Sequence, residues 1–590
     1  MRSRLTSRAI TPGLLVVGIL LWIVSVVHAR TTPMGVYGLI SQVGVTFYGA
    51  LLCLGLAAGW ELSRTPVRTT PIFFITLFLV TVLFGTSPAT TQVAALTDSY
   101  VHTGFTNYII QHGAVLQNFD ARFSWPGAFA LGGVVARAAG VASTLSFLKW
   151  FPLVIELAYL APLWAIGRVS GVPRRTAYLG TLLFYTGNWI YQDYFSPQAL
   201  NFLFYLTLLA VVMTLYRAVT PPRRERWRRA LDTWRLRRVR GLDAVSRLPR
   251  QREVALLIFG ALLATASAVS HQLTPYAMVL SLIALLGARR LGRPELVVVT
   301  AVVTIGWLSL GAYNFWVGHL SLIFGSLGSV GSTLGSNVGS RVFGAPSHLL
   351  VVKWRIYATG LMFLLAGVGV LRRAADDRAL ELLAGAPFAL LLAQSYGGEG
   401  LLRATLFSLP FTSLLAASAF LPRRSGPISP WISWSTPLRH RLTRPLISVM
   451  VTALIVVTGV LLVFVRGGND YYETYTSGEL SAVNYLDTHV PTGSLVGTFS
   501  AYVPLGASSL TTYRVYIAVL YDDASVATDL ARLNRAHPQF LLLTQSEEHW
   551  GDVVMGYPAG WEQVAEQTLL RHHYRVVFHN STASVLERVP

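Results

Sequence analysis

The chain has 590 residues, of which 53% are hydrophobic and only 13% charged, with a mean hydropathy of +0.51. This composition excludes an ordinary soluble domain and points to the bilayer as the main solvent. The formal net charge of +20 does not indicate nucleic acid, because the arginines fall in short clusters between apolar runs, as the positive-inside rule produces them.

A membrane-crossing helix needs roughly 20 apolar residues, and the chain offers about thirteen such runs. They lie at 12–28, 37–60, 71–87, 147–167, 176–190, 197–216, 254–270, 274–288, 295–314, 349–371, 379–394, 404–421 and 445–465. Arg2, Arg4 and Arg8 precede the first run, Arg64 and Arg68 follow the second, and Arg168, Arg174 and Arg175 follow the fourth. Later clusters, including the basic loop 217–252, fall on the same side if "FSWPGAFALGGVVARAAGV" lies at the interface without crossing. All basic clusters are then cytoplasmic, as is the N-terminus. The basic loop reads as a surface helix on anionic lipid.

From residue 466 onward the composition changes to that of a soluble α/β unit, 466–590, with helices in "TSGELSAVNYLDTHV", "DDASVATDLARLNRAHPQ" and "GWEQVAEQTLLRHH". Strands are predicted in "SLVGTF", "FLLLTQ" and the pair "YRVVFHNSTASVLERV". An odd number of spans places this unit outside the cell. The glycine- and serine-rich segment "IFGSLGSVGSTLGSNVGSRVFG" reads as a linker or a gating loop on the same face. The single cysteine, Cys53, excludes intramolecular disulfides.

Nucleotide-binding, zinc-protease and serine-hydrolase signatures are missing, and so is the Asp-x-Asp motif of nucleotide-sugar chemistry. The adjacent Asp376 and Asp377 stand among arginines, as solvated charges in a cytoplasmic turn do. The candidate chemistry lies on the outer face. In "ALTDSYVHTGF", Asp98 and His102 share a helix face with Phe105, Ile109 and His112, which sets a carboxylate beside an imidazole. Such a pair suits a general base that accepts a hydroxyl proton, with His102 orienting it or binding phosphate; a polar interfacial face is the alternative.

Asp193, in "NWIYQDYFSPQALNFLFYL", either contacts a substrate hydroxyl or caps the helix opened by Pro197, and Tyr191, Tyr194 and Phe195 read as an interfacial aromatic belt. His271 and Gln272 occupy a hairpin between two spans, where polar groups need protein or a polar cavity to face. Glu399 and Arg403 stand four residues apart at the mouth of a span, and Arg403 calls for an anion, either Glu399 itself or a lipid phosphate.

Taken together, "TDSYVH", "YFSPQALNFLFYL", "SHQLTPY" and "GGEGLLRATLFSLPF" resemble the GT-C superfamily of integral-membrane glycosyltransferases that use polyprenyl-phosphate sugars, in its actinobacterial form. The resemblance implies a polytopic α-helical protein with a C-terminal extracytoplasmic α/β domain. It divides the chain into two additional N-terminal spans (1–70), a transmembrane domain (71–465) with a first large outer loop at 85–146, and the domain 466–590. It further implies Asp98 as catalytic base and Arg403 as phosphate ligand; His102, Asp193, His271, Gln272 and Glu399 join them as substrate-binding candidates from the residue reading above. The activity implied is inverting transfer, by a hexosyl- or pentosyltransferase, from a polyprenyl-phosphate donor to a cell-envelope glycan or lipid at the cytoplasmic membrane, serving cell wall biogenesis. No metal ligands are identified; a divalent cation, Mg or Mn, is left open as cofactor, and membrane lipids rather than nucleic acid are the partners. The competing readings are a transporter or flippase for a lipid-linked saccharide and a non-catalytic envelope-assembly scaffold. Transport would place charges mid-span, where Glu156 is the main example.

Overall fold

The computed structural model describes residues 2–218, 244–317, 342–372, 378–392, 399–421, 443–508, 510–519, 525–571 and 573–589. Most of the basic loop, most of the glycine- and serine-rich segment and the pair Asp376–Asp377 lie outside these residues.

Among the described residues, nine helices are long and apolar enough to cross a membrane, which makes the chain a multi-pass membrane protein. They are α1 (Arg2–Thr31), α2 (Val45–Ser63), α3 (Thr69–Thr90), α6 (Phe151–Val169), α8 (Pro197–Leu215), α9 (Arg250–Ser270), α12 (Pro346–Arg372), α14 (Gly400–Phe420) and α15 (Arg444–Gly467). The four remaining sequence-predicted spans are helical but shorter. These are α7 (Arg174–Gly187), α10 (Thr274–Gly287), α11 (Glu295–Gly306, continued by a π turn to Gly311) and α13 (Ala379–Gly385, continued by a 3₁₀ segment to Leu392). The predicted span at 37–60 begins only at Val45, because Gly38 and Gly44 precede the helix and Gly38 takes a left-handed φ of 65°.

Between lipid-facing helices no hydrophobic force distinguishes a helix neighbour from a lipid chain, so close backbone approach decides packing. Gly55 and Gly59 supply it on α2. A Cβ on Gly59 would stand 2.4 Å from the carbonyl oxygen of Ser448 on α15, while Thr452 Oγ1 donates to the Gly55 carbonyl at 3.1 Å. At the same end of α2, buried Glu61 is held by Arg68 and Thr11.

Two helices stand outside the spans. Helix α4 (Thr97–His112) and helix α5 (Gly127–Ala138) pack on one another on the side that carries the C-terminal domain, called here the domain side. Helix α5 has 12 residues, about 18 Å, too few to cross.

The C-terminal domain adds α16 (Asp470–Glu473), α17 (Ser477–His489), α18 (Val526–Ala536), α19 (Gln545–Trp550) and α20 (Trp561–Arg571). Its strands are β1 (Leu495–Thr498), β2 (Arg514–Ile517), β3 (Phe540–Thr544), β4 (Tyr574–His579) and β5 (Ala583–Arg588). The sheet order is β2-β1-β3-β5-β4, parallel across β2, β1 and β3 and antiparallel across β3, β5 and β4. Strand alternation explains the double burial of β3. Leu541 and Leu543 pack with Trp550 and Trp561, whereas Phe540 and Leu542 pack with Leu486 and Val585. Strand β2 and helix α19 were missed by the sequence reading. The first is short and exposed, and the second follows β3 directly, capped by the Thr544 side chain.

Candidate active site

Helix α4 begins at an unusual backbone position. Leu96, its N-cap, adopts φ 67°, a region costly for a residue with a Cβ, and its N–H donates to the Glu473 carbonyl at 2.8 Å. Asp98 follows in the first turn of the helix and is exposed. The hydroxyl of Tyr194 is 3.4 Å from its Oδ2.

His102 is turned into the protein. Its ring lies parallel to Tyr194, with centroids 5.8 Å apart, and tilts against Phe129. Nδ1 donates to the Phe195 carbonyl at 2.9 Å, which leaves Nε2 as the acceptor nitrogen. The imidazole therefore does not orient Asp98 by a direct hydrogen bond, contrary to the sequence expectation, because a buried ring N–H takes the backbone acceptor it is packed against. Burial pulls His102 down to about 4; the Asp98 carboxylate opposes this, and Arg122 and Arg403 add to it. Burial also raises Tyr194 well above its ordinary value, with Asp98 reinforcing the shift.

Arg403 is buried in the first turn of α14 and donates to Glu399 Oε2 at 2.6 Å, so the local ion pair forms. His271 is buried with Nδ1 accepting from the backbone N–H groups of Leu273 and Thr274, each at 3.1 Å, which ties down the start of α10. Burial holds His271 well below its usual value, aided by the positive charge of Arg403 and by His102. Gln272 is half-buried in the same turn. Asp98, Glu399 and Arg403 thus act on Tyr194, and Arg403 acts on both His102 and His271.

Asp193 belongs to a second centre. Ser196, not Asp193, caps α8, its Oγ accepting from Ala199 N at 3.1 Å. Asp193 is buried and ion-paired with Arg466, the penultimate residue of α15. The Arg466 guanidinium lies 4.1 Å over the Tyr191 ring and 5.0 Å over that of Phe84. Tyr191, Tyr194 and Phe195 therefore form no interfacial belt. Tyr194 and Phe195 are each 8% exposed, and Tyr191 is strained at φ 58°, since the turn folds inward to reach the charges behind it. Mid-span Glu156 is fully buried and accepts from Asn188 Nδ2 at 2.7 Å.

Two arginines escaped the sequence reading. Arg122 pairs with Asp120 through two bonds of 2.9 Å, lies 4.8 Å over the Phe105 ring and acts on His102. Arg466 was read as a domain boundary. Both fall on segments that the arginine count assigns to the outer face, and that was the signal that would have found them.

Tyr194 of the first centre and Tyr191 and Arg466 of the second line one open cavity. Its lining mixes polar side chains, among them Ser87, Thr91, Ser99, Lys149 and Asp470, with apolar ones, among them Leu83, Phe84, Leu96, Leu148 and Val463. Asp470 is pushed up to about 7 by burial and by neighbouring Glu473. Among the described residues, no three side chains of His, Cys, Asp or Glu gather closely enough to hold a metal ion.

Neither a family model nor a curated protein matches the sequence. Among solved structures, the chain is similar to the oligosaccharyltransferase of Archaeoglobus fulgidus with a tethered acceptor peptide, at 11% identity over 88% of this chain and 74% of that one, TM-score 0.47. It is also similar to ArnT from Cupriavidus metallidurans bound to undecaprenyl phosphate, at 12% identity over 88% and 97% of the two chains, TM-score 0.48. A third similarity is to the mycobacterial arabinofuranosyltransferase AftD, at 13% identity over 88% of this chain and 41% of that one, TM-score 0.44. At these identities and scores, none of the three likenesses assigns an activity to the chain.

Proposed function

We propose that the protein is an inverting membrane glycosyltransferase of the GT-C type, which moves a sugar from a polyprenyl phosphate to an envelope glycan or lipid on the outer face of the cytoplasmic membrane. The domain side is then that outer face. The observation that carries this reading is the position of Asp98, exposed at the start of α4, between Leu96 and Ser99 of a cavity whose lining combines apolar side chains with Lys149, Arg466 and hydroxyl groups. A lipid-linked sugar phosphate combines the same chemistries.

In the reaction, the acceptor hydroxyl gives its proton to the Asp98 carboxylate as its oxygen bonds to the anomeric carbon. The bond from that carbon to the phosphate oxygen breaks, and its electron pair leaves with the polyprenyl phosphate. Lys149 and Arg466 at the cavity, with Arg122 and Arg403 beside His102, supply positive potential for the phosphate as it gains charge. Neutral His102 stacks on Tyr194, whose hydroxyl lies beside the base.

The reading is tested with purified protein, a panel of polyprenyl-phosphate hexoses and pentoses, and candidate glycan and lipid acceptors. Asp98→Asn should lower transfer by about 10²- to 10⁴-fold. Undiminished transfer would remove Asp98 from its role, and no transfer from any donor by the wild type would overturn the assignment. Arg403→Gln should weaken donor binding more than acceptor binding.

A further inference from the structure

The C-terminal domain does not merely follow the last span; it grips the helix that presents Asp98. Thr97, immediately before the base, donates from Oγ1 to the Ala501 carbonyl at 2.8 Å and shares a 2.7 Å hydrogen bond with the Tyr475 hydroxyl. Leu96 N–H, at the strained N-cap, is held by the Glu473 carbonyl, and Ser477 N–H meets Gln92 Oε1 at 2.9 Å. Nine residues past Asp98, Asn107 Nδ2 donates to the Ala507 carbonyl at 2.9 Å. Between these points Gly104 and Gly506 meet backbone to backbone; a Cβ on Gly104 would stand 2.1 Å from the Gly506 carbonyl oxygen.

The gripping segment, which runs on from β1, is itself anchored within the domain. Ser500 N–H donates to buried Glu547 Oε1 at 2.8 Å, and Ser546 Oγ donates to the Tyr502 carbonyl at 3.0 Å. One side of α4 therefore faces the membrane helices while another is bonded to a rigid sheet domain. A strained N-cap persists only where surrounding contacts over-determine it, and here those contacts come from the C-terminal domain.

We propose that the C-terminal domain is a working part of the catalytic centre, with Thr97 and Asn107 as positioning residues that fix the rotation and height of α4 and so aim Asp98 at the cavity. This rests on the glycosyltransferase reading above. A misplacement of the base by about 1 Å can cost two orders of magnitude in rate. The loss falls on turnover more than on donor binding, because the cavity walls that receive the donor lie largely on other elements.

The test uses the full-length protein in detergent micelles or nanodiscs. Farnesyl-phosphoryl mannose, glucose and arabinose serve as donors, and farnesyl phosphate serves as a binding probe. Thr97→Val is expected to lower kcat by about tenfold or more while the farnesyl phosphate Kd stays within about twofold and Tm is held. Thr97→Ser, which keeps the hydroxyl, should restore kcat, and Asn107→Ala should lower kcat in the same selective way. Wild-type kcat in Thr97→Val, or a loss that Thr97→Ser does not restore, overturns the inference. If Asp98→Asn also retains wild-type kcat, the glycosyltransferase reading fails with it; if Asp98→Asn abolishes transfer while Thr97→Val does not, the inference alone fails.

Discussion

Nη2 of Arg466 lies 2.9 Å from each carboxylate oxygen of Asp193, and the bond closes 273 residues of chain between the turn after α7 and the end of α15. Burial raises Asp193 above the usual carboxylate range, and the Arg466 charge works against that rise. Removing either partner strands a charge away from water. Asp193→Asn and Arg466→Gln should each cost about 3–5 kcal/mol, and the double substitution much less than their sum. Thermal unfolding of the three variants in one detergent measures this, and strict additivity would contradict the pairing.

His102 gives an acid-side prediction. Its folded value of about 4 lies below the ordinary histidine value of about 6.5, so the unfolded chain binds the proton more readily. Stability is unaffected above about pH 6.5 and declines as pH falls from there to about 4. His102→Gln has no proton to take up and should show a shallower decline in Tm over that window. Parallel Tm profiles for wild type and variant would show that the ring is not held neutral.

Glu547 gives the opposite sign. Burial pushes it up to about 8, and the negative charge of Glu479 reinforces the shift against an ordinary glutamate near 4.3. The folded state then holds a proton that the unfolded state has released, so stability is lost as pH rises from about 4 to about 8. Glu547→Gln retains an acceptor for Ser500 N–H and should unfold later than the wild type at pH 8.5, with little difference at pH 4. Half-buried Glu562, also raised, leaves a residual slope.

The close approach of Gly104 to Gly506 predicts a steric outcome. Gly104→Ala places a methyl where a carbonyl oxygen stands and should destabilise the docked domain by about 1–3 kcal/mol, with faster amide hydrogen exchange in 499–508. Gly360→Ala on α12, where nothing stands within 4 Å of the added carbon, should be neutral or slightly stabilising. Equal exchange in wild type and Gly104→Ala would mean that the contact yields without cost.

Hydropathy located the spans because each is a local property, and the strands β1, β3, β4 and β5 were legible as short apolar runs between turn residues. Strand β2 was not, since it is four residues long and three of them are exposed. At the site, the spacing of Asp98 and His102 correctly set them on one helix, but spacing cannot say which acceptor a buried N–H selects, and His102 chose Phe195. The cap offered for Asp193 failed for a related reason: its partner Arg466 lies 273 residues away, and no local pattern announces a bond of that span. Arg122 was legible in principle, as a cation on the side where cations are scarce.

Helix α7 has only 14 residues, about 21 Å, against a hydrocarbon layer of about 30 Å. It stops short on the domain side, and the irregular turn 188–196 occupies the missing depth. Non-helical backbone at that level is tolerated only where protein or water shields it from lipid. In the proposed enzyme that shield is the protein packed around Tyr191 and Asp193, which ties the level of the site to the thickness of the bilayer. Turnover should then respond to the acyl-chain length of the host membrane even when the protein itself is unchanged.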